Sequence, residues 1–157
     1  MYGGTFNPIH LGHMHAARAV VEALALDKLL LMPAGIPPHK TLPEGSASPA
    51  QRLDMCRIAA NRLPRTEACP LELEREGASY TVDTLRELAG EERRSCLLCG
   101  TDRMLTLDRW REPEEIFRLC YPIYIRREQD PILEQRIITK NQLYLEKYGK
   151  IARRLMA

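Results

Sequence analysis

The sequence has no apolar run approaching the ~20 residues of a membrane-spanning helix, so no membrane span is expected. No basic-then-apolar leader precedes the first glycines, which predicts a cytoplasmic protein. Charge of one sign is lacking too. The 23 Lys and Arg stand against 21 Asp and Glu, a formal net charge of +2 that makes no general case for a nucleic-acid partner. The basic residues are interleaved with acidic ones, as on solvated helix faces. Aromatics are sparse, with 1 Trp and 2 Phe. The cysteines number 5, and an odd count in apolar contexts argues against a secreted disulfide framework. Cys96-Leu97-Leu98-Cys99 spells C-x-x-C, yet no second such pair completes a metal site. On a strand these two thiols would face opposite ways, so buried apolar cysteines are favoured over a redox pair. There is no internal repeat, no low-complexity segment, and no Ser-His-Asp or Cys-His constellation for nucleophilic catalysis.

What the chain does have is a globular composition: 157 residues, 45% hydrophobic and 28% charged, enough for a single domain over 1–157 with a sizeable core. The distinctive stretch is Gly3-Gly4-Thr5-Phe6-Asn7-Pro8-Ile9-His10-Leu11-Gly12-His13, followed by apolar residues at helical spacing: Met14, Ala17, Val20, Val21 and Leu24. A glycine-rich turn feeding a helix N-terminus lets backbone N–H groups approach an anion, and the helix dipole favours negative charge there. His10 and His13, at i and i+3, would share one face of that helix. The spacing is neither that of a P-loop nor that of a G-x-G-x-x-G dinucleotide fingerprint. His15 is expected on a solvated helix face.

Along the chain, Met1–Gly4 reads as the stub of a first strand and His10–Leu26 as a helix. Lys28–Met32 reads as a strand buried on both faces, ended by Pro33. Ala34–Ser48 is a long loop with Gly35, Pro37, Pro38, Pro43 and Gly45; it is either an exposed linker or a phosphate-site loop presenting His39 and Lys40. Ser48-Pro49-Ala50-Gln51 is a capping box opening a helix to about Arg62, with Leu53, Cys56, Ile58 and Ala59 facing the core. Thr66–Leu73 is expected as a third strand, irregular at Pro70. Ser79-Tyr80-Thr81 leads into a helix with Leu85 and Leu88 inward and Ser79 or Thr81 as N-cap. Ser95–Cys99 and Tyr121–Ile125 are further strands, while Glu112–Leu119 and Pro131–Tyr148 are helices, the last ended by Gly149. Lys150–Ala157 could begin another strand.

Strands alternating with helices predict an α/β fold: a doubly wound, mostly parallel, Rossmann-like sheet with helices on both faces. Ligands bind such sheets outside the carboxyl ends of the strands. Every unusual loop falls on that edge: Gly3–His13, Pro33–Lys40, Glu74–Thr81, Gly100–Trp110 and Arg126-Arg127.

Gly4-Thr5-Phe6-Asn7-Pro8-Ile9-His10-Leu11-Gly12-His13 resembles the G-T-F-[DN]-P-x-H-x-G-H signature of the nucleotidyltransferase superfamily. Met32–Lys40 resembles the loop after the second strand of nicotinate-nucleotide adenylyltransferases. The segment from Leu73 to Leu85 is similar to their E-x-x-R-x-G-x-S-Y-T-x-D-T-L stretch. Gly100-Thr101-Asp102 with Leu107–Trp110 resembles their G-x-D…W element. The resemblance runs from Gly3 to about Arg127.

It implies transfer of AMP from ATP to nicotinate mononucleotide, releasing pyrophosphate, with Mg2+ bound to the ATP and keeping several waters. It implies His10 and His13 as catalytic residues. Gly3, Gly4, Thr5, Phe6, Lys40, Gly100, Asp102 and Arg127 would hold ATP and its phosphates. Asn7, His39, Ser79, Tyr80, Thr81 and Trp110 would hold the mononucleotide. No dedicated metal ligands are expected. Trp110 is alternatively a core aromatic, Asp102 a helix N-cap, and Asp83 with Arg75 a local ion pair. The competing enzymes are other adenylyl- or cytidylyltransferases, such as one acting on phosphopantetheine, and the competing class is a non-catalytic nucleotide-binding protein. Three departures stand out. Arg111 replaces the tyrosine many relatives have after the tryptophan, the first strand is short, and the family's I-S-S-T-x-x-R motif is expected beyond Ala157.

Overall fold

The computed structural model describes residues 1–38, 41–91, 93–125 and 131–155. Six parallel strands form one sheet: β1 Tyr2–Gly4, β2 Leu29–Pro33, β3 Thr66–Ala68, β4 Ser95–Gly100, β5 Cys120–Ile125 and β6 Arg153–Leu155. The order is β3-β2-β1-β4-β5-β6, so the winding reverses between β1 and β4. The doubly wound expectation holds, and the tail does supply a strand.

Alternation along the strands divides the core in two. Leu98, Ile123 and Ile125 join Tyr2, Phe6 and Leu31 on one face, covered by α1 Leu11–Ala23 and α2 Pro49–Ala60 through Ala17, Val20, Val21, Cys56 and Ala59. Leu97, Cys99 and Tyr124 point to the other face. There they meet α4 Thr81–Leu88, α5 Thr101–Met104, α6 Pro113–Leu119 and α7 Pro131–Tyr148 through Leu85, Met104, Phe117 and Ile137. Burying each of these large side chains stabilises the fold by about 1.5–3 kcal/mol. The C-x-x-C thiols do diverge: Cys96 packs toward the first cluster and Cys99 lies in the second, all cysteines being free. Among the described residues no helix is long and apolar enough to cross a membrane.

Four local expectations are corrected. The first helix stops at Ala23 rather than Leu26, because Ala25 takes a left-handed φ of 47°. The third strand ends at Ala68; Pro70 instead caps a short helix, α3 Leu71–Glu74. Ile58 is 61% exposed, and α2 turns Arg52, Leu53, Cys56, Ala59 and Ala60 inward. The segment after β4 is not a plain loop, since it forms α5 and a 3-10 turn at Leu107–Arg109.

Candidate active site

The motif folds as a hinge between β1 and α1. Gly4 ends the strand, and its carbonyl accepts from the Ala34 N–H at 2.9 Å. Phe6 takes φ 50° and buries its ring to 3% exposure, with Tyr2 and His13 set edge-on against it. His10 is the N-cap of α1. The Gly12 N–H donates to its Nδ1 at 3.1 Å, and the His10 N–H donates to Nδ1 of His13 at 3.2 Å, a capping box made of two histidines. The rings stack with centroids 3.7 Å apart. An Nδ1 that accepts from a backbone N–H carries no proton, so in the neutral ring the proton sits on Nε2. Helix capping therefore fixes both imidazoles as Nε2–H donors.

These residues line a cleft of about 1050 Å³ outside the carboxyl ends of β1 and β4, where the winding reverses. The motif supplies Gly3, Gly4, Thr5, Phe6, Asn7, His10 and His13. The loop after β2 adds Pro37, Pro38 and Thr41; the segment before α4 adds Ser79 and Thr81; the turn after β4 adds Gly100, Asp102 and Trp110. His39, Lys40 and Arg127 lie outside the described residues.

Asn7 spends its amide on the loop after β2, donating to Ser46 Oγ at 3.0 Å and accepting from the Ala47 N–H at 3.2 Å. Ser79 is not a helix cap; Tyr80 is the N-cap residue of α4 and makes no side-chain capping bond. The Ser79 hydroxyl instead accepts from the Gly35 N–H at 3.0 Å, and the Ser79 N–H donates to the Ile36 carbonyl at 2.9 Å. Those bonds draw two loops together. A Cβ at Gly35 would lie 2.6 Å from the Glu72 carbonyl oxygen, so the approach admits glycine alone. The Tyr80 side chain does not line the cleft; its ring packs under the Arg111 guanidinium at 4.6 Å. Asp102 is exposed in the first turn of α5 and is not its N-cap. Trp110 is half-buried, donating from Nε1 to the Thr106 hydroxyl at 3.3 Å. Arg75 pairs with Glu87 rather than Asp83, and Asp83 pairs with Arg86.

Two residues lining the cleft, Arg103 and Glu72, and one buried behind it, Arg52, go beyond the sequence reading. Arg103 places its guanidinium 5.1 Å from the Trp110 ring centre and donates to the Gly3 carbonyl at 3.3 Å. Its place beside Asp102 was the available sign. Glu72 is 4% exposed and accepts from the Thr84 hydroxyl at 2.7 Å. Burial pushes its carboxyl above the usual range, against the Thr84 hydrogen bond and the charges of Arg75 and Arg103. Arg52, fully buried on α2, donates to the Thr5 and Ala34 carbonyls at 2.7 Å each. Behind the cleft, Lys140 bonds both oxygens of Asp108 at 2.8 Å, and the Tyr144 hydroxyl donates to the Met104 carbonyl at 2.5 Å. This ties α7 to the turn that carries Trp110.

A cytidylyltransferase-like family model matches residues 1–148. A probable nicotinate-nucleotide adenylyltransferase of Marinobacter nauticus is 45% identical over 130 residues, 81% of this chain and 59% of the relative. One of Shewanella woodyi is 40% identical over 127 residues, 80% of this chain and 60% of the relative. The chain thus spans about six-tenths of the length of these curated relatives. The structure of Plasmodium falciparum nicotinic acid mononucleotide adenylyltransferase complexed with NaAD superposes with a TM-score of 0.65 at 20% identity, over 86% of this chain and 68% of that one. The same enzyme complexed with APC gives 0.64 at 19% identity, with the same coverage. The likeness to the solved structures is one of fold, and the match over nearly the whole sequence places the chain in the cytidylyltransferase-like family.

Proposed function

We propose that this chain carries the catalytic site of a nicotinate-nucleotide adenylyltransferase. A phosphate oxygen of nicotinate mononucleotide attacks the α-phosphorus of ATP, the bond to the β-phosphate bridging oxygen breaks, and pyrophosphate leaves with nicotinate adenine dinucleotide as the product. The nucleophile arrives ionised, so the site requires no general base, only alignment and charge stabilisation. The observation carrying this reading is the pair of histidines whose Nδ1 atoms are both taken by backbone N–H groups at the mouth of the switch-point cleft. Two Nε2–H donors suit phosphoryl oxygens that gain charge as pyrophosphate departs.

The other roles combine the positions of the described residues with the resemblance, which alone supplies His39, Lys40 and Arg127. Gly3 to Phe6 border the triphosphate, with Lys40 and Arg127 as additional cations for it. Asp102, exposed after Gly100 at the end of β4, suits ribose hydroxyls. Trp110 offers a ring face to a cationic pyridine. N–H groups at the start of α4, after Tyr80-Thr81, suit the acceptor's carboxylate; Asn7 and Ser79, and by the resemblance His39, are assigned to the same acceptor. A divalent cation, magnesium with ATP, would neutralise charge on the triphosphate.

The test is incubation of protein containing this chain with ATP, magnesium and each acceptor, separating products by chromatography. Nicotinate mononucleotide should give the dinucleotide and pyrophosphate, ahead of nicotinamide mononucleotide. Equal or better turnover of phosphopantetheine would overturn the acceptor assignment. Binding without turnover in protein of the relatives' full length would favour a non-catalytic nucleotide binder.

A further inference from the structure

Arg52 is a cation in an unusual place. It is fully buried, its charge is held by backbone carbonyls alone, and among the described residues no carboxylate pairs with it. Its Nη1 donates to the Thr5 and Ala34 carbonyls at 2.7 Å, and its Nη2 reaches the Gly35 carbonyl at 3.4 Å. Its Nε has no hydrogen-bond partner. Burying an unpaired guanidinium costs enough that a stability role alone is a poor explanation, since apolar side chains fill such sites at lower cost. Desolvation also lowers its pKa.

The carbonyls it selects belong to the two loops that wall the cleft. In a trans peptide the C=O and the N–H point in opposite directions. A cation holding the Thr5 oxygen from the core side therefore turns the N–H of the same peptide, that of Phe6, away from the core. Phe6 lines the cleft, and no described residue accepts a hydrogen bond from its N–H. The Ala34 peptide is gripped in the same way, with its far side, the Gly35 N–H, donating to Ser79 Oγ.

We infer that Arg52 is a positioning residue for phosphate recognition: from behind the motif it fixes the Thr5–Phe6 peptide so that the Phe6 N–H serves as an anion donor. The charge also polarises that peptide, strengthening the donor where a triphosphate would lie. This inference rests on the triphosphate reading of the cleft given above.

The probe is inorganic tripolyphosphate titrated into 15N-labelled protein. In the wild type the Phe6 amide proton should move downfield as a charge-assisted hydrogen bond forms. Arg52→Lys keeps the charge but gathers its donors on one nitrogen; Arg52→Gln keeps amide donors and drops the charge. Affinity should fall in the order wild type, Lys, Gln, by roughly tenfold overall, with the Phe6 shift lost in the Gln variant. Thermal melts establish that each variant is folded. A folded Gln variant with wild-type affinity and an unchanged Phe6 shift would overturn the inference. If both variants unfold, a wild-type titration in which other cleft amides respond and Phe6 does not would overturn it equally. Wild-type protein that binds neither tripolyphosphate nor ATP would instead remove the triphosphate reading.

Discussion

The guanidinium of Arg103 lies 5.1 Å from the centre of the Trp110 ring, so a cation already covers part of the aromatic surface that the cleft offers. Arg103 is exposed and its hydrogen bond to Gly3 is long at 3.3 Å, which makes it displaceable. Trp110 is the 1 Trp in the chain, so its fluorescence reports on this site alone. Nicotinate mononucleotide should quench it. Arg103→Ala removes a competitor worth about 0.5–1 kcal/mol and should lower the half-quenching concentration two- to fivefold. Quenching that weakens in this variant would mean Arg103 holds the ligand instead.

The two histidines combine capping with the proposed chemistry, and substitution can separate these roles. Asparagine is a good N-cap residue, so His10→Asn should leave the melting temperature nearly unchanged. It removes the Nε2–H donor, and kcat should fall by roughly 10²–10³. His10→Ala should lose the cap as well, at about 1 kcal/mol. Steady-state kinetics beside thermal melts distinguish the two, and full kcat in His10→Asn contradicts the phosphate role.

Glu72 gives the fold a pH dependence. Burial raises its carboxyl pKa in the folded state, so the folded protein holds that proton more tightly than the unfolded chain does. Stability on this account is lost as pH rises from the ordinary carboxylate range through the raised value. Glu72→Gln keeps an acceptor for the Thr84 hydroxyl and removes the charge. Its melting temperature should exceed the wild type's at pH 8, with the difference closing toward pH 4, as followed by circular dichroism.

Asp108 titrates in the opposite sense. Desolvation lifts its carboxyl pKa, but the Lys140 hydrogen bonds and charge outweigh burial and hold it below the usual range. The stability it adds is present above the unfolded pKa and lost as pH falls through the folded one. The pair is mostly buried, the Lys140 and Asp108 side chains being 23% and 14% exposed. Asp108→Asn should cost about 1–3 kcal/mol in urea unfolding at pH 7, and less as the pH is lowered.

What was legible in the sequence follows physical range. The α2 start was readable because Ser48, Pro49 and Gln51 act on one another locally, and the Ser48 and Gln51 side chains do form the reciprocal capping bonds. Pro131 and Gly149 bracket α7 as expected, and alternation separated Cys96 from Cys99. The histidine motif was legible as a turn into a helix N-terminus because its residues are contiguous, and His10 does cap α1 with His13 closing the box. The inward turn of Arg52 was not, because its partners are carbonyls of Thr5 and Ala34 and a carbonyl leaves no mark in a sequence. Ser79 read as a cap for the same reason; its partner is the Gly35 N–H, a contact made only when the loops meet. The pattern around Pro70 predicts an irregular strand, whereas Pro70 stands at the start of a helix.

The most direct test of adenylyl transfer is to follow the α-phosphorus. Protein containing this chain is incubated with magnesium, nicotinate mononucleotide and ATP carrying radiolabel at either the α- or the γ-phosphate. Label from the α-position should appear in the dinucleotide, and label from the γ-position only in pyrophosphate. Absence of α-label from the dinucleotide, or passage of γ-label to the mononucleotide, would contradict the account.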